Sequence, residues 1–255
     1  MRKLTLIILL FAAGISLANA AGARGNGNIV TREKSAGPFD RVYVGGRAII
    51  NYRHSEEYRV LVTIDSNLEE RLDIFTRNNT LNIGPKHGQN IFPTEFIVDV
   101  YSPSLSGVSL SGSVEFNGKD TIKTKDFKLN ISGSGKAEGT IECENFSTNI
   151  SGSGLIDLNV ISNTFSADIS GSGKINLSGS SGELDVLISG SGSFDGGEFQ
   201  TNNASVRVSG SASIYVLAVN FLRVRISGSG GLRYRGNPII DFNISGTGQL
   251  GKGGW

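Results

Sequence analysis

The sequence predicts an all-β chain wound into one parallel β-helix, a β-solenoid with rungs of about 19 residues. Three observations predict it. A phrase close to I-S-G-S-G recurs eight times between residues 110 and 248, at spacings of 21, 19, 19, 19, 20, 18 and 18 residues. Around each copy apolar residues return at every second position, the period of a half-buried strand. Gly supplies 35 of 255 residues, about double the ordinary usage of roughly 7%, whereas Pro supplies only 5, which excludes a collagen-like or Pro-rich chain.

The elements follow in chain order. Arg2 and Lys3 precede an apolar run from Leu4 to Leu17 and the small-residue site Ala18-Asn19-Ala20. That is the pattern of a cleavable signal peptide over 1–20, with cleavage after Ala20 and delivery to the periplasm or the cell surface. The run is shorter than the ~20 residues a membrane-spanning helix needs, and no second apolar stretch of that length follows. Without Arg2 and Lys3 the chain holds 22 basic against 23 acidic residues, a formal −1. Residues 21–36 are small and polar and are expected to be flexible.

One domain is expected over 37–250. Its front part alternates at Val42, Val44, Ala48 and Ile50, at Tyr58, Val60, Val62 and Ile64, and at Phe96, Val98 and Val100. Asn67–Leu72 reads as one helical turn capped by Asn67, and Asn78-Asn79 and Gly84-Pro85 read as turns. The repeat then begins at Leu110, Ile131, Ile150, Ile169, Ile188, Val208, Ile226 and Ile244. Counting from that aliphatic residue, positions −4, −2, 0 and +6 are mostly apolar and should point inward. The S-G-S-G segment is a corner, where Gly can adopt a positive φ and the serine hydroxyls can stack into a ladder. Residues 251–255 form a tail whose Trp255 is placed to cap the last rung; left uncapped, that rung exposes a strand edge and invites association of copies.

Phe39-Asp40-Arg41-Val42-Tyr43-Val44, Leu68, the run Val98-Asp99-Val100-Tyr101-Ser102-Pro103-Ser104-Leu105 and the S-G-S-G series, taken in that order, resemble the auto-transporter adhesin head GIN domain family. The phrase Gly173-Lys174-Ile175-Asn176 nearly repeats the family's name. The resemblance covers roughly residues 38–250. It implies a pectin-lyase-like, right-handed β-helix with no established catalytic residues and a role in adhesion.

The residues themselves narrow the chemistry. A net charge of +1 with 18% charged residues argues against a nucleic-acid binder driven by bulk charge. A single Cys, Cys143, excludes an internal disulfide and reads as a buried, inert thiol; His54 and His87 read as exposed loop residues. No catalytic, cofactor or metal site is expected. The corners lack the periodic Asp of a Ca²⁺-binding roll, and Gly133-Ser134-Gly135-Lys136 lacks phosphate-loop spacing. Two surface sets are candidates. Arg207, Arg223, Arg225, Arg233 and Arg235 are read as one basic patch for an anionic glycan, an envelope component or the acidic end of another copy. Glu138, Asp157 and Asp195 stand at position +7, where Asp157 and Asp195 lie two rungs, ~9.6 Å, apart. That separation is near the ~6.5–9.5 Å of an inverting carboxylate pair. The sequence therefore favours an exported non-catalytic module for adhesion. A carbohydrate-active enzyme and a structural element that oligomerises are the alternatives.

Overall fold

The computed structural model describes residues 22–253. The expected signal peptide and Trp255 lie outside them. Among the described residues eighteen strands follow one another, with one 3₁₀ turn at Glu69–Arg71. The front strands are β1 (Ala23–Arg24), β2 (Ile29–Lys34), β3 (Arg41–His54), β4 (Arg59–Asp65), β5 (Leu72–Arg77), β6 (Thr80–Pro85), β7 (Ile91–Phe92) and β8 (Phe96–Ser102). The repeats form β9 (Gly107–Gly118), β10 (Ile122–Gly133), β11 (Lys136–Gly152), β12 (Leu155–Gly171), β13 (Lys174–Gly190), β14 (Ser193–Gly210), β15 (Ser213–Gly228), β16 (Gly231–Arg235), β17 (Ile239–Gly246) and β18 (Gln249–Lys252).

From β9 onward every pairing is parallel and joins a strand to the equivalent strand of the next rung. Ile131, Ile150, Ile169 and Ile188 are direct register partners in succession. The chain is thus a β-solenoid, as the period demands. The 20-residue spacing falls where the register between β13 and β14 slips at Asn176/Ser178, and the first 18-residue spacing where that between β14 and β15 slips around Gly196/Gln200 and Thr201/Asn203. The inward columns are buried along the rod, from Phe116 through Ile156 and Phe194 to Leu232. Phe127, Phe146 and Phe165 stack along the axis with ring centroids 5.6 and 4.7 Å apart, and Phe199 meets Phe165 edge-on at 5.4 Å. Phe242 breaks the pattern: it occupies an inward position yet is 59% exposed, because β17 pairs only with β15 among the described strands.

The corners explain the repeated phrase. Its first glycine has a positive φ in all eight copies, from +102° at Gly112 to +131° at Gly210. A Cβ on Gly152 would sit 2.6 Å from the carbonyl oxygen of Gly133 in the rung before. The second glycine is needed for room: a Cβ on Gly154 would lie 2.6 Å from Cγ2 of Ile131. The ladder expected of the serine hydroxyls is carried by the backbone. The N–H of Ser153 donates to Gly133 and that of Ser172 to Gly152, each at 2.9 Å, and the same bond recurs at the other corners. The hydroxyls face solvent, and Ser229 and Thr247 add one hydroxyl pair at 2.9 Å.

The front part closes the first rung and departs from expectation in three places. Residues 22–36 are not a flexible lead-in. β1 pairs with β7, and β2 lies antiparallel along β4, which itself lies antiparallel on β8. The fully buried Asp65 holds this cap, accepting the N–H of Gly27 on Oδ1 and that of Thr94 on Oδ2, both at 2.7 Å. Burial alone would raise its pKa; these hydrogen bonds outweigh that and hold it below the ordinary aspartate value. Asn67 does not cap the 3₁₀ turn. Its side chain accepts from the N–H of Asn26 and donates to the carbonyl of Arg24, so it ties the N-terminal segment down. Gly84-Pro85 ends β6, and the turn comes after it, where Gln89 N–H donates to Lys86. Asn78-Asn79 is the expected turn, with both φ values positive, and joins β5 to β6 as a hairpin. Cys143 is half-buried, not buried; desolvation, then Asp126, pushes its thiol pKa up to about 11. His54 ends β3 and is exposed, and His87 lies in the exposed turn.

Candidate ligand-binding face

Strand alternation gives each rung outward positions, and register stacks them into columns. Positions −1 and −3 form a first face. The −1 column runs from Phe75 through Asn82, Tyr43, Ser109, Asn130 and Asn149 to Asp168, Leu187, Arg207 and Arg225. The −3 column runs beside it from Arg77 through Thr80, Arg41, Gly107, Lys128, Ser147 and Ser166 to Asp185, Ser205, Arg223 and Asp241. Position −5 adds Asp126, Asn145 and Thr164, which hydrogen-bond in sequence at 2.8 and 2.9 Å.

Three grooves follow this face, with volumes of about 640, 680 and 530 Å³. The first and second share Arg41 and Lys128; the second and third share Thr164 and Ser166. They therefore join into one furrow along the rod. Its lining changes along the length. The β5 end carries the exposed aromatic rings of Tyr43 and Phe75 with Arg41, Arg77 and Lys128. The middle mixes hydroxyls and an amide with charges of both signs, Asp40 and Asp126 against Arg41, Lys125 and Lys128. The far end holds Phe221, with the Arg223 guanidinium 5.6 Å from its ring centre, beside Asp185.

The five arginines expected as one patch are divided. Arg207 and Arg225 are register partners on the first face, with Arg223 beside them. Each of the three is matched by an acid: Arg207 meets Asp185 at 3.0 Å, and Arg223 and Arg225 reach Asp241 Oδ2 at 3.3 and 2.8 Å. The hydrogen bond with Arg225 holds Asp241 below the ordinary carboxylate range, and the same bond raises Arg225. Arg233 stands on a second face, aligned with Tyr215. Arg235 lies two residues along the same strand and donates to the carbonyl of Gly197.

That second face carries the acidic column. Glu138, Asp157, Asn176 and Asp195 are successive register partners, so two rungs do separate Asp157 from Asp195. Glu138 pairs with Lys136, whose pKa is raised by that contact first and by Glu115 and Asp157 after it. Asp195 Oδ1 accepts the Gly197 N–H at 3.1 Å. Among the described residues no group of three or more His, Cys, Asp or Glu converges to hold a metal ion, and no helix is long and apolar enough to cross a membrane.

The aromatic and basic end of the first face is absent from the sequence expectations. Arg41, Tyr43, Phe75, Arg77 and Lys128 come from three strands, β3, β5 and β10, and only the pairing of β5, β6, β3, β9 and β10 gathers them. The usable signal was the pairing of the Val42-Tyr43-Val44 alternation with Val108-Ser109-Leu110.

Known proteins match this architecture over most of its length. A structure from Parabacteroides distasonis described as a putative lipid binding protein is 29% identical, with a TM-score of 0.85, and the match covers 91% of this chain and 99% of that one. Two structures described as putative adhesins, from Parabacteroides distasonis and Parabacteroides merdae, are each 25% identical over the same shares, with TM-scores of 0.87 and 0.88. No functionally curated protein matches in sequence. The family model described as "Putative auto-transporter adhesin, head GIN domain" matches residues 38–159 and 136–238, and with the corner phrase and the solenoid in place the chain belongs to that family.

Proposed function

We propose that this adhesin-like module binds an extended glycan of a cell envelope along its first face, without transforming it. The observation that carries this reading is the furrow: three grooves with shared walls, lined by hydroxyls, amides, charged groups of both signs and exposed aromatic rings, running across successive rungs. A linear polymer laid along such a surface meets polar groups at every rung spacing, ~4.8 Å. Aromatic rings offer an apolar face with little conformational freedom to lose, and Arg, Asn and Ser offer directional hydrogen bonds. The relative described as lipid-binding makes anionic vesicles a necessary comparison. Export to the periplasm or cell surface is part of the same proposal and rests on residues 1–20.

The test is incubation of the purified protein with a panel of acidic and neutral polysaccharides. Pull-down and the release of new reducing or unsaturated ends are scored together. Saturable binding with no new ends is the expected result. Released products would overturn the non-catalytic reading and direct Asp157→Asn and Asp195→Asn. Binding to vesicles alone would overturn the glycan.

A further inference from the structure

The charges on the first face are unevenly satisfied. At the β17 end Arg207 pairs with Asp185, and Arg223 and Arg225 share Asp241. At the β5 end the groove of about 640 Å³ is lined by Arg41, Arg77 and Lys128 and by no carboxylate. Arg41 is held in place, donating to the Asn78 carbonyl at 2.8 Å and lying 3.4 Å from Asp40. Among the described residues neither Arg77 nor Lys128 has an acid within ion-pair distance. Tyr43 and Phe75, 42% and 45% exposed, stand either side of Asn82 in adjoining strands of the same groove.

We infer that this end is an anion-selecting subsite for an acidic glycan: its rings seat the apolar face of a sugar, and Arg77 and Lys128, four strand spacings or ~19 Å apart in one column, meet carboxylates of different sugars along the polymer. The inference rests on the glycan reading above and names the class of sugar it takes. Charge complementarity commits the groove to an acidic occupant, and ionised donors make the stronger hydrogen bonds to a carboxylate. The aromatic pair commits it to a sugar ring over a bare anion.

The experiment compares oligogalacturonate with its methyl ester, a pair that differs in charge and not in sugar, within a wider polysaccharide panel. Wild-type protein should bind the acid form at least about tenfold more tightly than the ester. Arg77→Glu and Lys128→Glu should each lose about as much, and binding should weaken with salt. Arg233→Glu, on the second face, makes the same change in net charge and should bind as wild type. All three positions are exposed, so unchanged melting temperatures verify folding. Equal binding of acid and ester, retained in Arg77→Glu and Lys128→Glu, would overturn the subsite and leave the glycan reading standing. An equal loss in Arg233→Glu would overturn it in favour of bulk charge. Binding of no polysaccharide, with or without capture by anionic vesicles, would overturn both.

Discussion

At the scale of single residues, the fold rests on a column of glycines whose φ values no β-branched residue adopts cheaply. Gly152 combines φ +125° with a Gly133 carbonyl oxygen 2.6 Å from where a Cβ would stand. Gly152→Val should therefore destabilise by at least ~2–3 kcal/mol, since strain in φ adds to a backbone clash. Thermal or urea unfolding measures it, and a variant that melts with the parent would refute the corner geometry. This much was legible in the sequence, because a glycine repeated in one frame implies a backbone demand in one frame. The second glycine of the phrase was legible as a position but not as a reason. Its demand comes from Ile131 and its equivalents in the rung before, a contact that exists only once the rungs stack.

At the scale of elements, the repeats and the front part differ in how far the sequence reveals them. Strands β9 to β18 pair with the equivalent strand of the next rung and the phrase recurs every 18 to 21 residues, so periodicity gives their partners. The cap does not repeat. β2 reaches β4 across an antiparallel pairing, and β4 reaches β8, which no period announces. Hence residues 22–36 looked structureless although Asp65 fastens them. An Asn at position 65 keeps one acceptor oxygen and turns the other into a donor facing an N–H. Asp65→Asn should accordingly lower the melting temperature at neutral pH. The aspartate's folded pKa is depressed, so its contribution is full above the unfolded value of about 3.9 and fades as pH falls through the folded one. The gap between parent and variant should close below about pH 4. A gap that persists unchanged into acid would mean that the carboxylate charge is not what holds the cap.

At the scale of the whole molecule, function follows from which columns share a face. Counting charges along the C-terminal segment put five arginines into one patch; the winding places three on the first face and two on another strand set. It also brings Asp185, from an earlier rung, against Arg207. Sequence position measures neither effect, because neighbours on this surface are about 19 residues apart in the chain. The basic and aromatic end was invisible for the same reason: its residues stand more than 80 positions apart, from Arg41 to Lys128.

The constant register at the corners has a consequence for how such molecules change in size. Leu155 and Lys174 occupy equivalent places on neighbouring rungs, so excising residues 155–173 joins Gly154 to Lys174 without disturbing the frame. Such a variant should unfold cooperatively as a shorter rod, whereas excising 155–164 should abolish folding; circular dichroism melts of both decide it. On the proposed glycan reading, loss or duplication of one coding unit then alters how many sugar units are gripped at once, and avidity with it. Reach becomes an inheritable quantity that is adjusted in whole steps.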